Sequence, residues 1–158
     1  MDKLYGDDLR VGTVYRFGRH EVTHDELVEF AQKWDPQDFH LDAAAAYDGA
    51  YDGLIASGVH TMAINQRLSV EAMYRHWHVI AGRSVDVRFL RPVRVGDVLS
   101  GQGEIMRIDH EPDRRRAFVA VERTLTNQTG RQVLAVSTTL YVHLAPTSGD
   151  QLRSRAAP

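Results

Sequence analysis

A carboxylate and an imidazole stand close together in the stretch Trp34-Asp35-Pro36-Gln37-Asp38-Phe39-His40. Asp35 and His40, held near one another, can grip a single water from two sides. One removes a proton while the other donates or orients. Pro36 stiffens the connection, and loops carried by rigid elements are a common place to build a catalytic site. Taken alone, the pair also has a plainer explanation. Asp-Pro opens turns, His40 would then be a surface histidine, and eight histidines leave room for chance pairings. A second candidate is Ser57-Gly58, which precedes an apolar run. If a helix begins there, the N–H groups of Gly58 and Val59 lack partners within it and lie at the positive end of its dipole. Glycine lets a ligand approach the backbone closely. Such an end can stabilise a carbonyl oxygen that becomes negative during a reaction. Alone, Ser57 is equally well a simple N-cap.

Other polar residues carry weaker arguments. His60 could ligate a metal, but no histidine or carboxylate lies at ligand spacing on its helix face, and His76 and His78 around Trp77 do not make a zinc site. No metal is expected. Ser57 lacks the glycine two residues earlier that a nucleophile elbow needs. Arg88, Arg91 and Arg94 could meet a phosphate, although an outward strand face explains each one as well. Arg114-Arg115-Arg116, with Glu111 and Asp113, reads as a solvated hairpin.

The elements that would position these residues follow from periodicity. Val11 to Arg19 suggests a first strand. Thr23-His24-Asp25-Glu26 has the form of a capping box, in which each of Thr23 and Glu26 caps the other's backbone N–H. Leu27, Phe30, Ala31 and Trp34 then fall on one apolar helical face, and Pro36 ends the helix at Asp35. Asp42 can cap a short turn over Ala43 to Tyr47, and Asp48 to Gly53 is loop. From Ser57, a plausible N-cap, one long helix runs to about His76. After Ala81-Gly82 the pattern turns to strands: Val85 to Phe89, Val98 to Asp109, Ala117 to Asn127 and Arg131 to Leu144. Turns at 111–116 and 127–130 make them an antiparallel meander. The tail from Pro146 is small, polar and expected to be disordered. The fold class is α+β, an antiparallel sheet wrapped around one long helix, each covering the other's apolar face.

The bulk numbers set limits. The chain has 158 residues, 43% apolar and 25% charged, which fits one domain with a proper core. A net charge of -2 and the lack of a basic stripe argue against nucleic acid or anionic membranes as partners. The chain has no cysteine, which excludes disulfides and thiolate chemistry. No stretch approaches the ~20 apolar residues of a membrane span, and the first residues lack the apolar block of a signal peptide. A cytoplasmic protein is expected.

Together the weak signals gain weight. Phe30-Ala31, Asp35-x-x-x-x-His40 and Leu54-Ile55-Ala56-Ser57-Gly58 before a buried helix resemble the MaoC-like dehydratases, which include the R-specific enoyl-CoA hydratases. Phe89-Leu90-Arg91-Pro92-Val93-Arg94-Val95-Gly96-Asp97 looks like that family's strand and turn after the helix. The resemblance spans roughly residues 10 to 145 and implies a hot-dog fold, with Asp35 and His40 catalytic and the Gly58 N–H, capped by Ser57, as oxyanion hole. It implies an acyl-CoA or acyl-carrier thioester as substrate, hydrated to an (R)-3-hydroxyacyl thioester or dehydrated in reverse, and a homodimer. No cofactor is expected. Arg88, Arg91 or Arg94 would reach coenzyme A phosphates. The chain departs from the family's usual Asp-x-Asn-Pro-x-His, with Gln37 and Asp38 at the Asn-Pro positions. An inward Asp38 would raise the pKa of Asp35, because like charges disfavour joint ionisation. The rivals are a hot-dog thioesterase and a non-catalytic acyl-binding subunit of a dehydratase.

Overall fold

The computed structural model describes residues 2–147, so the polar tail expected to be disordered lies, beyond Thr147, outside the described residues. The element order is β1 (Val14–Arg16), β2 (His20–Glu21), α1 (His24–Trp34), α2 (Asp38–Leu41), α3 (Ala43–Tyr47), α4 (Gly58–Ala72), β3 (Val79–Phe89), β4 (Val98–Glu111), β5 (Arg116–Thr126) and β6 (Gln132–His143). The strands form an antiparallel sheet in the order β1-β4-β5-β6-β3, with β2 also paired to β4. β4, β5 and β6 are the expected meander, and β3 closes the sheet's far end against β6.

Strand alternation decides what faces the helix. On β5, Ala117, Val119, Val121, Arg123 and Leu125 are buried, while the residues between them are not. Ile64 and Leu68 of α4 join Val119, Val121, Leu125, Val136 and Leu140 in one core, so the helix lies across the sheet as expected. One inward position is charged. Arg123 is 1% exposed and donates to Gln66 Oε1 (3.0 Å) and Ser69 Oγ (3.0 Å) of α4 and to Thr138 Oγ1 (2.6 Å) of β6. Burial lowers its pKa, partly offset by the neighbouring Tyr74, and no carboxylate among the described residues pairs with it.

Several expectations are corrected in detail. The first strand is two short pieces, because the chain leaves the sheet between Arg16 and His20. The long helix ends at Ala72, and Tyr74–His76 continues as a separate 3₁₀ turn. β3 begins at Val79, ahead of the expected change of pattern. It is the end strand and only Val87 is even half-buried, so the alternation of Val85, Val87 and Phe89 with Asp86 and Arg88 marks a strand but no buried face. Trp34 ends the apolar face of α1 on paper, yet it is 64% exposed, while Leu27 and Ala31 are fully buried. The capping box is half made. The Glu26 N–H donates to Thr23 Oγ1 at 3.3 Å, but the Glu26 carboxylate is bound elsewhere.

Candidate active site

α1 ends where Pro36 requires it, with Asp35 as C-cap. The Gln37 N–H returns to the Asp35 carbonyl at 2.8 Å, a tight turn centred on the proline. α2 follows at once, so His40 sits on a short helix and not in a loop. It is buried, 3% exposed, so the surface-histidine explanation fails. The segment before α4 is strapped into place by Ile55 N–H to the Phe39 carbonyl (3.3 Å) and Ala56 N–H to the Val93 carbonyl (2.8 Å). That brings the Ile55 carbonyl to 2.8 Å from His40 Nδ1. A carbonyl only accepts, so Nδ1 carries the proton and Nε2 is left towards Asp35 Oδ2, 3.4 Å away.

Asp35 is held on both oxygens. Ser57 Oγ donates to Oδ2 at 2.6 Å, and Gln37 Nε2 donates to Oδ1 at 2.7 Å. The Ser57 bond, then the Gln37 bond, hold the Asp35 carboxyl below the ordinary range; partial burial opposes this and His40 adds a smaller attraction. Ser57 is the N-cap of α4 as expected, accepting from the Val59 N–H at 3.2 Å. Its hydroxyl proton goes to Asp35, which links the helix start to the carboxylate across 22 residues of chain. Nothing in local spacing signals that bond. Gly58 is the first residue of α4, so its N–H precedes the helix's own ladder. A Cβ at Gly58 would lie 2.8 Å from Phe89 Cε1, a closer approach than a methyl allows.

These groups share one cleft of about 470 Å³, whose lining includes Asp35, His40, Gly58, Tyr51, Phe89 and Arg91. Ser57 lies under its floor with no exposed surface. Of the three candidate arginines, only Arg91 lines the cleft, with Nη1 on the Gln132 carbonyl at 2.6 Å. Arg94 Nη2 holds the Tyr51 carbonyl and so fixes the 48–53 loop. Arg88 is exposed on β3, away from the cleft lining. Asp38 is exposed in the first turn of α2 and does not line the cleft. Asp38 thus does not point into the cleft, and the condition under which it would raise the Asp35 pKa is not met. Asp35 is shifted down, not up, because the residues that reach its oxygens are donors.

Residues 8–129 match the family described as MaoC like domain. The chain belongs to the MaoC-like family. It is 33% identical over 109 residues to the uncharacterized protein YdeM of Bacillus subtilis (strain 168), covering 68% of this chain and 76% of that one. Among solved structures, the MaoC-like dehydratase from Rhodospirillum rubrum superposes with a TM-score of 0.85 at 34% identity, over 91% of this chain and 99% of that one. The R-hydratase PhaJ1 from Pseudomonas aeruginosa gives 0.70 at 25% identity, over 92% and 94%. The fold is therefore the hot-dog fold of these dehydratases, and the family membership supports hydratase or dehydratase chemistry.

Proposed function

We propose that this MaoC-like protein adds water to trans-2-enoyl thioesters of coenzyme A or an acyl carrier, giving (R)-3-hydroxyacyl thioesters, and catalyses the reverse dehydration. The observation that carries this reading is the meeting of Asp35, His40 and Gly58 in one cleft. The thioester carbonyl would accept from the Gly58 N–H at the α4 dipole's positive end, drawing charge away from C3. Losing such a donor typically raises the barrier by ~3 kcal/mol. One water, in contact with both Asp35 and His40 Nε2, would be the nucleophile. Its oxygen bonds to C3, one proton stays on the new hydroxyl, and the other moves by way of the dyad to C2. The step balances with water alone and takes no cofactor.

The geometry sharpens the division of labour. The Asp35 carboxylate is already engaged by Ser57 and Gln37 and held low, so it is a poor proton acceptor and a good orienting anion. His40 has a fixed Nδ1–H and an Nε2 lone pair facing the reaction. The imidazole carries the proton, and Asp35 aims the water and steadies the imidazolium. The R configuration follows the R-hydratase relative.

The active species is a homodimer. β3 ends the sheet with an edge that is unpaired among the described residues, and beside it α4 leaves a groove of about 650 Å³ lined by Val59, Met62, Val70, Val79 and Val85 among others. An open edge beside an apolar groove favours a second copy of the same strand. Val59 lines both groove and cleft, so the partner would wall the site.

The test is to mix the purified protein with crotonyl-CoA and longer enoyl-CoAs and follow the loss of conjugated-thioester absorbance. Hydration without free thiol supports the reading. Thiol release in its place would make the protein a thioesterase, and no turnover would leave an acyl-binding subunit. Light scattering of Val85→Lys against wild type tests the dimer, and an unchanged mass would refute this interface.

A further inference from the structure

At the opposite end of α1 from Asp35 lies a second carboxylate–imidazole cluster. Glu26 Oε1 is 2.8 Å from His20 Nε2 and 2.9 Å from His60 Nε2, and Oε2 is 3.1 Å from His20. His60 is 3% exposed, and its ring stacks on Phe30 with centroids 4.7 Å apart and planes 14° from parallel. The carboxylate only accepts, so Nε2 of each histidine donates to it. Burial works to raise the pKa of Glu26, but the bonds from His60 and then His20 overcome it and hold the group below its ordinary value.

Glu26 has been taken away from a local task. Its position three residues after Thr23 suits a capping box, yet its carboxylate reaches 34 residues along the chain to His60. Both partners sit in first turns, Glu26 in that of α1 and His60 in that of α4, two residues beyond Gly58. At the other end of α1, Asp35 meets Ser57, the N-cap of α4. α1 and α4 are thus joined at two points. With the Asp35–Ser57 bond alone, α1 could pivot about that contact.

We propose that the Glu26–His60 pair, backed by His20 and Phe30, is a positioning clamp that fixes α1 on the first turn of α4 and so sets Asp35 against Ser57 and the Gly58 N–H. The inference rests on the hydratase reading for its catalytic meaning. These are positioning residues, since none of Glu26, His20 or His60 lines the cleft. The groups facing Glu26 are His20 from β2 and His60 from α4, while Glu29 and Lys33 of α1 and Arg67 of α4 border the same hollow.

The test compares His60→Asn with His60→Gln in the full chain. A glutamine amide reaches the place of Nε2 and can donate to Glu26, whereas an asparagine amide stops short. The first readout is the Asp35 carboxyl titration by carbon-13 NMR, without substrate. His60→Asn should move the Asp35 midpoint up towards the ordinary range, as the Ser57 bond loses alignment, and His60→Gln should restore it. The second is turnover of crotonyl-CoA. kcat should fall by up to about 10²-fold in the asparagine variant with KM within about twofold, and recover in the glutamine variant. An Asp35 midpoint unchanged in a folded His60→Asn protein overturns the clamp. If that variant does not fold, Glu26→Gln, which keeps the volume and removes the charge, carries the same comparison. A wild-type protein that does not hydrate enoyl thioesters counts against the hydratase reading alone, because the titration is read without turnover.

Discussion

Each end of α1 carries a carboxylate facing an imidazole, and the two pairs are built differently. Asp35 and His40 stand 3.4 Å apart at the cleft, where the histidine's other nitrogen is anchored to the Ile55 carbonyl. Glu26 and His60 are in direct contact at 2.9 Å, with a second histidine on the same carboxylate. A direct bond uses up the proton and lone pair that make the groups reactive. The looser pair leaves the His40 Nε2 lone pair uncommitted, open to a water that touches both side chains. On the proposed hydratase reading, chemistry belongs to the looser pair and holding to the tighter one.

The comparison can be broken at its strongest point first. Asp35→Asn and His40→Gln should each cut enoyl-CoA hydration by about 10²–10⁴-fold with the circular dichroism unchanged, and full activity in either would remove the dyad from the mechanism. Ser57→Ala comes next, with a loss of about 10–10²-fold in kcat. It removes the largest cause of the low Asp35 pKa, so the Asp35 carboxyl titration, read by carbon-13 NMR, should move to higher pH. The lost N-cap should also cost about 1 kcal/mol in denaturant melts. An Asp35 midpoint that stays in place would mean Ser57 serves only as a cap. Gly58→Ala should then lower kcat/KM by about tenfold, through crowding by Phe89. Adding Phe89→Ala should recover part of the loss, whereas no recovery would place the fault in the helix itself.

The smallest effect belongs to the tight pair. Because the folded state holds the Glu26 carboxyl low, its ionised form adds stability above the ordinary carboxylate value, and that contribution disappears as pH falls through the lowered one. The melting temperature of Glu26→Gln should lie below wild type near neutrality, and the gap should close in acid. A gap independent of pH would contradict the ionised contact.

Much of this was legible before any coordinates, where the signal was local. The Thr23 cap, the stop at Pro36, the Asp42 cap on Ala44 and Ala45, and the β4–β6 meander all depend on neighbours in sequence. Asp35, His40 and Gly58 stand out through the resemblance of three motif blocks to the family, and the fold brings them to one cleft. The bonds that complete the site, Ser57 to Asp35 and His60 to Glu26, join α1 to α4 across 22 and 34 residues, and no periodicity reports which helix faces will meet. Asp38 failed as an inward charge because α2 begins there and turns it to solvent. Arg123 carried an available signal: it falls in phase with Val119, Val121 and Leu125, on the buried side of its strand.

That arginine constrains how the helix can be seated. Apolar side chains would hold α4 on the sheet almost equally well after a small rotation or a one-turn slip. Three directed bonds from a buried guanidinium do not tolerate either. Sliding α4 would leave a buried guanidinium without its acceptors, and buried charged donors that lose their partners are costly. Arg123 thus acts as an indexing pin, and it fixes how far Gly58, at the leading end of the same helix, projects into the cleft.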